Sequence, residues 1–188
     1  MTSSHEAEAL LRQAGALLEG HFELASGKHS PLYIEKFRLL ERPPQTEALC
    51  RSIADWASHV SPQLVAGPTT GGIIISYEVA RLLGLRGIFA ERKEDGPGRS
   101  FGRGFAIAPG ERVLVVDDVL TTGGSVREVI EAVRGVKGEV AGVAVLVDRS
   151  DGSVEFGVPF FACLALDLPV YEHGVCPFCE AGVPLKIT

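Results

Sequence analysis

The chain has 188 residues, a length that favours one domain and excludes a large multi-domain assembly. Hydrophobic residues make up 46% of it and charged residues 22%, which is typical of a protein that buries a core and excludes a disordered chain. The net charge of −6 has the wrong sign for a protein held to nucleic acid by phosphate neutralisation. The sequence has neither an apolar run of the roughly 18 residues that a membrane helix needs nor a secretion signal. We therefore expect a cytoplasmic protein with neither a membrane nor a nucleic-acid partner.

The N-terminal part predicts one helix and two strands. Ser3 and Glu6 have the spacing of a capping box, and apolar residues then recur at helical intervals. A helix is therefore predicted over about 4–18, ending before Gly20. Two apolar stretches flank a turn rich in glycine and serine within residues 22–36, which predicts a pair of short strands.

From residue 43 onward, helices and strands alternate. Pro43 and Pro44 predict the start of a second helix. Short apolar strands then precede glycine-containing turns and helical patterns, and this alternation predicts an α/β fold with a central parallel sheet flanked by helices. The predicted strands cover residues 64–66, 87–90, 113–116, 140–147 and 160–164.

The segment from residue 113 to residue 125 carries the strongest functional signal. Its apolar start predicts a buried strand that delivers Asp117 and Asp118 to the sheet edge where open α/β folds bind ligands. Hydroxyls and glycines follow, and such a turn offers backbone N–H groups and a helix N-terminus to an anion. The turn lacks the lysine of a P-loop, and we interpret it as a cradle for a phosphate monoester. The cradle comprises Thr121, Thr122, Gly123, Gly124 and Ser125.

Two acids beside a phosphate repel it unless something intervenes. Asp117 and Asp118 therefore either accept hydrogen bonds from a sugar diol or meet a Mg²⁺ ion carried by the ligand. Both solutions imply a sugar phosphate. The alternative is that the acids are caps or turn formers and that residues 121–125 are a tight loop and nothing more.

A second turn repeats this arrangement after the predicted strand 64–66. Two anion-binding turns at one sheet edge fit a ligand that carries phosphate at both ends. By itself the second turn is equally typical of an ordinary strand-to-helix connection. It comprises Thr69, Thr70, Gly71 and Gly72.

Residues 92–104 combine cations with glycines and predict a mobile lid. Arg92 and Lys93 open the segment, and Arg99 and Arg103 follow among glycines that permit hinging. This composition suits a cover over a polyphosphate. The alternative is a solvated hairpin with scattered charges.

These motifs resemble a known family. The stretch from Asp117 to Ser125 is similar to the phosphoribosyl pyrophosphate (PRPP) motif of type I phosphoribosyltransferases. The stretch from Gly20 to Tyr33 resembles the N-terminal signature of the orotate phosphoribosyltransferases, and Arg149 stands where that family carries an orotate-binding arginine. The resemblance implies the type I phosphoribosyltransferase fold in a single domain over residues 1–188. It also implies a small hood formed by about residues 1–40 and a tail of about residues 170–188.

The function implied by this resemblance is transfer of the 5-phosphoribosyl group from PRPP to orotate, giving orotidine 5′-monophosphate and pyrophosphate. Mg²⁺ would be carried by PRPP without a direct protein ligand, and the enzyme would be a homodimer. A phosphoribosyltransferase for a purine or uracil stays open, because the PRPP motif does not read the base. A PRPP-sensing regulator is the third possibility, although the acidic net charge and the lid cations count against it.

The resemblance also implies residue roles. Asp117, Asp118 and Lys93 would be catalytic, the two acids by holding the ribose near the transferring carbon. Arg92 and Lys93 would bind pyrophosphate, in part across the dimer interface. The orotate contacts would be Thr121, Arg149 and Tyr33, for which the alternatives are a surface ion pair at Arg149 and a core position for Tyr33. The remaining PRPP contacts would be Thr69, Thr70, Gly71, Gly72, Val119, Leu120, Thr121, Thr122, Gly123, Gly124 and Ser125.

The sequence departs from the family pattern at two places. Many members carry a lysine where this chain has Ala25, and many carry a lysine and a histidine in the lid that are absent here. Either Arg99 or Arg103 would then supply the closing charge.

Cys176 and Cys179 form a CxxC pair, which is half of a zinc site, a redox dithiol or a pair of structural thiols. A four-ligand site would need Cys163 and His173 to converge on the pair, or a partner chain to contribute. The other histidines, among them His21 and His29, show no spacing that suggests a metal. We therefore interpret the cysteines as structural thiols.

Overall fold

The computed structural model describes residues 2–24 and 26–188, and within them the chain forms a large and a small sheet with helices packed against them. The helices are α1 (Ser4–Gln13), α2 (Lys36–Leu40), α3 (Pro43–Ala57), α4 (Gly71–Leu83), α5 (Gly124–Gly135) and α6 (Pro177–Glu180). The strands are β1 (Leu17–Glu23), β2 (His29–Ile34), β3 (Leu64–Pro68), β4 (Arg86–Arg92), β5 (Arg99–Ser100), β6 (Arg112–Leu120), β7 (Glu139–Asp148), β8 (Phe160–Ala165) and β9 (Lys186–Ile187).

The large sheet confirms the predicted α/β architecture. Its strand order is β5-β4-β3-β6-β7-β8. Neighbouring strands are parallel except at the edge, where the short β5 runs antiparallel to β4. Parallel neighbours need long crossover connections, and α4 and α5 supply them after β3 and β6.

Apolar side chains on both faces of the large sheet hold the helices in place. Val113 and Val115 of β6 belong to a buried cluster with Val129 of α5. Leu114 and Val116, on the opposite face, belong to the cluster that includes α3 and α4. Successive strand residues face opposite sides, so a strand covered by helices on both faces is continuously apolar. Burying each such side chain contributes roughly 1.5–3 kcal/mol.

Helix α1 begins as predicted but ends earlier. The Ser3 hydroxyl accepts the N–H of Glu6, and the Glu6 carboxylate accepts the N–H of Ser3, which completes the capping box. The prediction that the helix reaches residue 18 is wrong. Gly15 has a left-handed φ of +66°, and the chain then enters β1, where Leu17 pairs with Ile34 of β2. The short helix α2 was not predicted.

The small sheet joins an N-terminal pair of strands to the C-terminal end of the described chain. β1 pairs antiparallel with β2 and parallel with β9, giving the order β2-β1-β9. A further β-bridge links His29 to Tyr171. The backbone N–H of each residue donates to the backbone carbonyl of the other, and both N–O distances are 2.8 Å. Lys28 also forms an ion pair with Glu172 at 2.9 Å. Residues distant in sequence thus complete the layer begun by β1 and β2.

No helix among residues 2–24 and 26–188 has both the length and the apolar character needed to cross a membrane.

Candidate active site

The predicted phosphate turns meet at the middle of the large sheet. β3 and β6 are neighbours, and from them the chain winds outward in opposite directions, to β4 on one side and to β7 and β8 on the other. Such a reversal leaves a crevice at the carboxyl ends of the two strands, where open α/β sheets bind ligands. The β3–β6 pairing ends at Ala66 and Val115, although β6 continues to Leu120.

Both acids lie inside β6 and not after it. The prediction that this strand ends at residue 116 is wrong, because β6 continues to pair with β7 through Leu120. Asp117 and Asp118 are both buried, at 7% and 3% exposure. The Asp117 carboxylate accepts the N–H of Asp118 at 2.9 Å, and the Asp118 carboxylate accepts the N–H of Val119 at 2.6 Å.

Lys36 is a residue of this site that the sequence reasoning missed. As the first residue of α2, it places its ammonium group 3.2 Å from Oδ1 and 3.0 Å from Oδ2 of Asp118. Its side chain is 38% exposed, so it also faces the solvent. The only sequence signal was a basic residue two positions after the end of β2. The lysine thus places a positive charge beside the buried carboxylate of Asp118.

Asp117 has no such direct partner among the described residues. Burial, and next the charge of Asp118, raise the pKa of Asp117 to about 7, although the Asp118 N–H, Lys36 and Arg99 oppose this shift. Near neutral pH the carboxyl group is therefore divided between its protonated and its charged forms. A protonated carboxyl group is able to donate a hydrogen bond as well as accept one.

The turn after β3 is closely packed against the acid pair. Gly71 and Gly72 are buried and open α4, and a Cβ on Gly71 would overlap the Asp118 carboxylate. Glycine at this position is what allows the turn and β6 to approach each other. The exposed Thr70 precedes them, without a side-chain cap on the helix among the described residues.

Arg99 fixes the start of the same turn. Its guanidinium donates to Thr69 Oγ1 at 2.8 Å, to the Ala90 carbonyl at 3.1 Å and to Glu128 at 3.1 Å. Its side chain is 2% exposed. Arg99 is therefore part of the scaffold in this conformation.

The turn after β6 has the geometry of an anion cradle. Gly123 has a left-handed φ of +78° and directs the chain into α5, which begins at Gly124 without a side-chain cap among the described residues. Thr121 and Thr122 are exposed, so their hydroxyls and the first N–H groups of α5 remain open to a ligand. Leu120 differs, because its side chain packs in the core. Val119 is also packed against the core, so each of these two residues offers a ligand its backbone.

The predicted lid segment forms a hairpin. Glu91 pairs with Ser100 across β4 and β5, and Arg103 donates to Glu91 at 3.0 and 2.8 Å from an exposed position. This ion pair lowers the pKa of Glu91. Arg92 and Lys93 are exposed, and their side chains have no hydrogen bond or ion pair with the described residues. The two predicted pyrophosphate cations are thus free to meet a ligand.

Arg149 lies beside the crevice at the end of β7. Its backbone N–H donates to the Leu120 carbonyl at 2.8 Å, which ties it to the end of β6. Its side chain is partly buried, the Nε atom has no hydrogen-bond partner in the described part of the chain, and burial lowers its pKa despite the nearby Tyr33. Tyr33 is half-buried and packs against Phe22, with ring centroids 5.6 Å apart. Arg149 and Tyr33, two of the three residues predicted to meet orotate, are therefore close enough to interact electrostatically.

The position of Ala25, where many family members carry a lysine, lies outside the described residues.

The histidines and cysteines are arranged differently from the prediction. His21 and His29 converge on Cys176 and Cys179, with all four potential ligand atoms within 4.8 Å of one another. Cys163, one of the residues that the sequence offered to complete a four-ligand set, lies in the core with its thiol 3.4 Å from the Leu49 carbonyl. His173 lies near the cluster, with its ring centroid 5.2 Å from that of His29. Sequence spacing gave no signal because the pairs come from opposite parts of the chain.

The comparisons with known proteins agree with this geometry. Residues 39–170 match the family model described as "Phosphoribosyl transferase domain". The fold and the paired turns at the centre of the sheet thus define a phosphoribosyltransferase.

Similar proteins narrow this class. An orotate phosphoribosyltransferase of Pelotomaculum thermopropionicum is 52% identical over 95% of this chain and 93% of its own length. One of Desulforamulus reducens is 49% identical over 93% of this chain and 91% of its own. The crystal structure of orotate phosphoribosyltransferase from Aeropyrum pernix superposes with a TM-score of 0.71 at 30% identity, covering 85% of this chain and 93% of that one. The chain belongs to the orotate phosphoribosyltransferases, which confirms the fold class and the family predicted from its motifs.

Proposed function

We propose that this protein transfers the 5-phosphoribosyl group of PRPP to orotate, releasing pyrophosphate and giving orotidine 5′-monophosphate in pyrimidine biosynthesis. The observation that carries the proposal is the pair of uncapped turns on either side of the β3–β6 crevice with two carboxylates between them. This arrangement suits a sugar with phosphate groups at both ends.

In this proposal the turn 121–125 binds the 5′-phosphate through backbone N–H groups and the hydroxyls of Thr121 and Thr122. Asp117 and Asp118 hold the ribose hydroxyls. The turn 69–72 binds the pyrophosphate end, supported by Arg99 behind it.

Mg²⁺ fits the site as an ion carried by the substrate. Among the described residues, the acid pair is not joined by a third metal-ligating side chain, and Lys36 already neutralises Asp118. Mg²⁺ is commonly held through one or two carboxylates together with substrate phosphates. When bound, the ion would neutralise the negative charge of the leaving pyrophosphate.

The protein contributes positioning and charge. As pyrophosphate leaves, positive charge grows on the ribose and negative charge on the leaving group. The carboxylates of β6 stabilise the positive charge on the ribose. Arg92, Lys93 and the N–H groups of the turn 69–72 stabilise the negative charge on the pyrophosphate. Orotate is already an anion, so we assign no general base, and orientation within the crevice supplies much of the barrier reduction.

Arg149 and Tyr33 are the proposed orotate contacts, together with Thr121. The Arg149 guanidinium is partly buried, and its Nε has no acceptor in the part of the chain that the structure describes. Such a group is suited to a planar anion, because its donors form a fixed fork. Tyr33, on the hood, would pack against the ring.

We further propose that residues 92–104 close as a lid, within one domain that spans residues 1–188 with its hood and tail. Arg103 is the better candidate for the closing charge, because it is exposed and, among the described residues, its side chain pairs with Glu91 alone, whereas Arg99 is buried in its present contacts.

A homodimer and a cytoplasmic location complete the proposal. Phe37, Ile74 and Tyr77 are large apolar residues with 47%, 40% and 69% exposure, and they lie on α2 and α4 near the crevice. An apolar surface of this kind marks an interaction site. The cysteines at 50, 163, 176 and 179 are free, which suits a reducing compartment.

The test is an assay with PRPP, Mg²⁺ and one base at a time, following loss of the free base. We expect turnover of orotate and not of adenine, guanine, hypoxanthine or uracil. Turnover of a purine or uracil would overturn the base assignment, and PRPP binding without turnover would indicate a sensor. The Asp117→Asn, Asp118→Asn double variant should lose most of the turnover without a lower melting temperature.

A further inference from the structure

We propose that His21, His29, Cys176 and Cys179 bind one Zn²⁺ ion, which fastens the tail to the hood. The site lies outside the substrate crevice and is independent of the Mg²⁺ carried by PRPP. Two thiolates and two imidazoles form one of the common ligand sets of structural zinc sites.

The distances among the four side chains match a tetrahedral site. Zn–S bonds of about 2.3 Å and Zn–N bonds of about 2.0–2.1 Å place ligand atoms about 3.3–3.8 Å apart. Here His21 Nε2 lies 3.5 Å from Cys176 Sγ and 3.7 Å from Cys179 Sγ. His29 Nδ1 lies 3.3 Å from Cys179 Sγ and 2.9 Å from His21 Nε2. The two nitrogens are closer than in an ideal tetrahedron and would move slightly apart on binding, and all four ligand atoms lie within 4.8 Å of one another.

The hydrogen bonds around His21 orient it as a metal ligand. Its Nδ1 lies 2.8 Å from the Val183 carbonyl, an acceptor that requires a proton on that nitrogen. In the neutral ring the lone pair is then on Nε2, which faces His29, Cys176 and Cys179 together. One lone pair is not able to satisfy three donors, but a cation at their centre would satisfy all four groups. A metal-bound histidine commonly donates its other N–H to a carbonyl in this way.

The burial of the cluster indicates a closed site. His21 and His29 are 2% exposed and Cys176 is 1% exposed, while Cys179 is half-buried. Four protein ligands leave no open position for a substrate, so the ion would be structural and not catalytic.

The position of the cluster explains what such an ion would do. His21 and His29 lie on β1 and β2, whereas Cys176 precedes α6 and Cys179 lies in it. Most residues from 170 to 188 are exposed, and Val175 and Ile187 remain open to solvent at 67% and 85%. The tail thus buries little apolar surface of its own, and small elements of this kind gain much of their stability from a bound metal.

The direct test is the metal content of the protein, purified without a chelator and without a nickel column. Elemental analysis should find about one zinc per chain. The Cys176→Ser, Cys179→Ser double variant should retain less than about a tenth of it, while the matched Cys50→Ser, Cys163→Ser variant, which changes the two other buried thiols, should keep it.

Two outcomes would overturn the proposal. One is wild-type protein without zinc, whether its thiols are free or joined as a Cys176–Cys179 disulfide that mass spectrometry detects. The other is zinc that persists in the double variant.

The absorption spectrum of the Co²⁺-loaded wild-type protein tests the site without relying on variants that fold. Wild-type protein stripped of zinc and loaded with Co²⁺ should show the intense visible bands of tetrahedral cobalt and a near-ultraviolet thiolate band. Octahedral cobalt spectra would contradict the assignment. Hydrogen exchange in residues 170–188 should also accelerate after zinc removal, whereas the strands of the large sheet should not change. These measurements do not require orotate turnover, so they test the zinc site independently of the proposed function.

Discussion

Asp117 is buried where a carboxylate is expensive to charge. Its pKa of about 7 in the folded protein lies above the 3.8 of an ordinary aspartate. Between these values the folded protein holds a proton that the unfolded chain has released. The free energy of unfolding therefore falls as the pH rises from about 4 to about 7, and this loss persists at higher pH.

The Asp117→Asn variant should not show this fall in the free energy of unfolding at higher pH. The amide oxygen still accepts the Asp118 N–H, but no charge has to be buried. At pH 8 we expect the variant to be more stable than the wild type by about 1–3 kcal/mol, with a smaller difference at pH 5. Urea unfolding at both pH values measures it. Asp95→Asn, at an exposed position between β4 and β5, should have the stability of the wild type at both pH values. If the gain in stability of Asp117→Asn over the wild type is no larger at pH 8 than at pH 5, the prediction is contradicted.

Arg149 supplies a fork of donors that a lysine does not reproduce. We expect Arg149→Lys to raise the KM for orotate about tenfold or more, equivalent to about 1.4 kcal/mol, with a much smaller effect on the KM for PRPP. Steady-state kinetics with each substrate varied in turn gives both values. Arg134→Lys is the matched control, because Arg134 lies exposed on α5 and pairs with Glu131. Equal changes in both KM values would argue against a specific orotate contact.

At the level of elements, two arginines in and just after the β4–β5 hairpin have opposite surroundings. Arg99 is enclosed by Thr69, Ala90 and Glu128, whereas Arg103 pairs with Glu91 in the solvent. The buried contacts are worth more because their loss leaves polar groups without partners, while exposed ion pairs contribute little.

Arg99→Ala should therefore lower the free energy of unfolding by about 1–3 kcal/mol, and Arg103→Ala should change it by less than about 0.5 kcal/mol. Chemical denaturation compares the two variants. If Arg103 closes the lid, its alanine variant should still lose turnover. A reversed order of stabilities would show that the hairpin packs differently from the structure described above.

The presence of several of these helices and strands was predictable from the local sequence, but the residues at which they end were harder to predict. The capping box of Ser3 and Glu6 and the prolines of α3 act through neighbouring residues, so their helices begin where predicted. The end of α1 was missed because Leu17 and Leu18 fit a helical period as well as a strand, and only pairing with β2 decides between them. The extent of β6 beyond residue 116 depends in the same way on β7.

In the whole molecule, the order of strands in the large sheet places the turn 69–72 beside the turn 121–125. The sequence motifs had predicted that these two turns lie at the same sheet edge. Long-range contacts without a local pattern were not predictable. Lys36 reaches Asp118 across 82 positions of sequence, and His21 reaches Cys176 across 155. Neither pair has a spacing that a single sequence reveals, because the fold alone brings them into contact.

The exposed apolar surface on α2 and α4 predicts how the molecule assembles. Tyr77→Glu would place a charge in the proposed dimer interface, and burying an unpaired charge is costly. Light scattering after size exclusion should find a dimer for the wild type and a monomer for this variant. Val136→Glu is the control, since Val136 is 44% exposed on the far end of α5. A monomeric wild type, or a variant that still dimerises, would contradict the proposed interface.

The pairing of β9 with β1 has a consequence for synthesis on the ribosome. The Thr188 hydroxyl donates to the Glu23 carbonyl across 165 positions, so β1 is able to pair with β2 early, whereas its other edge stays unpaired until β9 has been made. The large sheet, complete by β8, is able to form before then. Proteins generally fold from the N-terminus as they are made, but here the small sheet that contains the first strand is among the last parts to be completed.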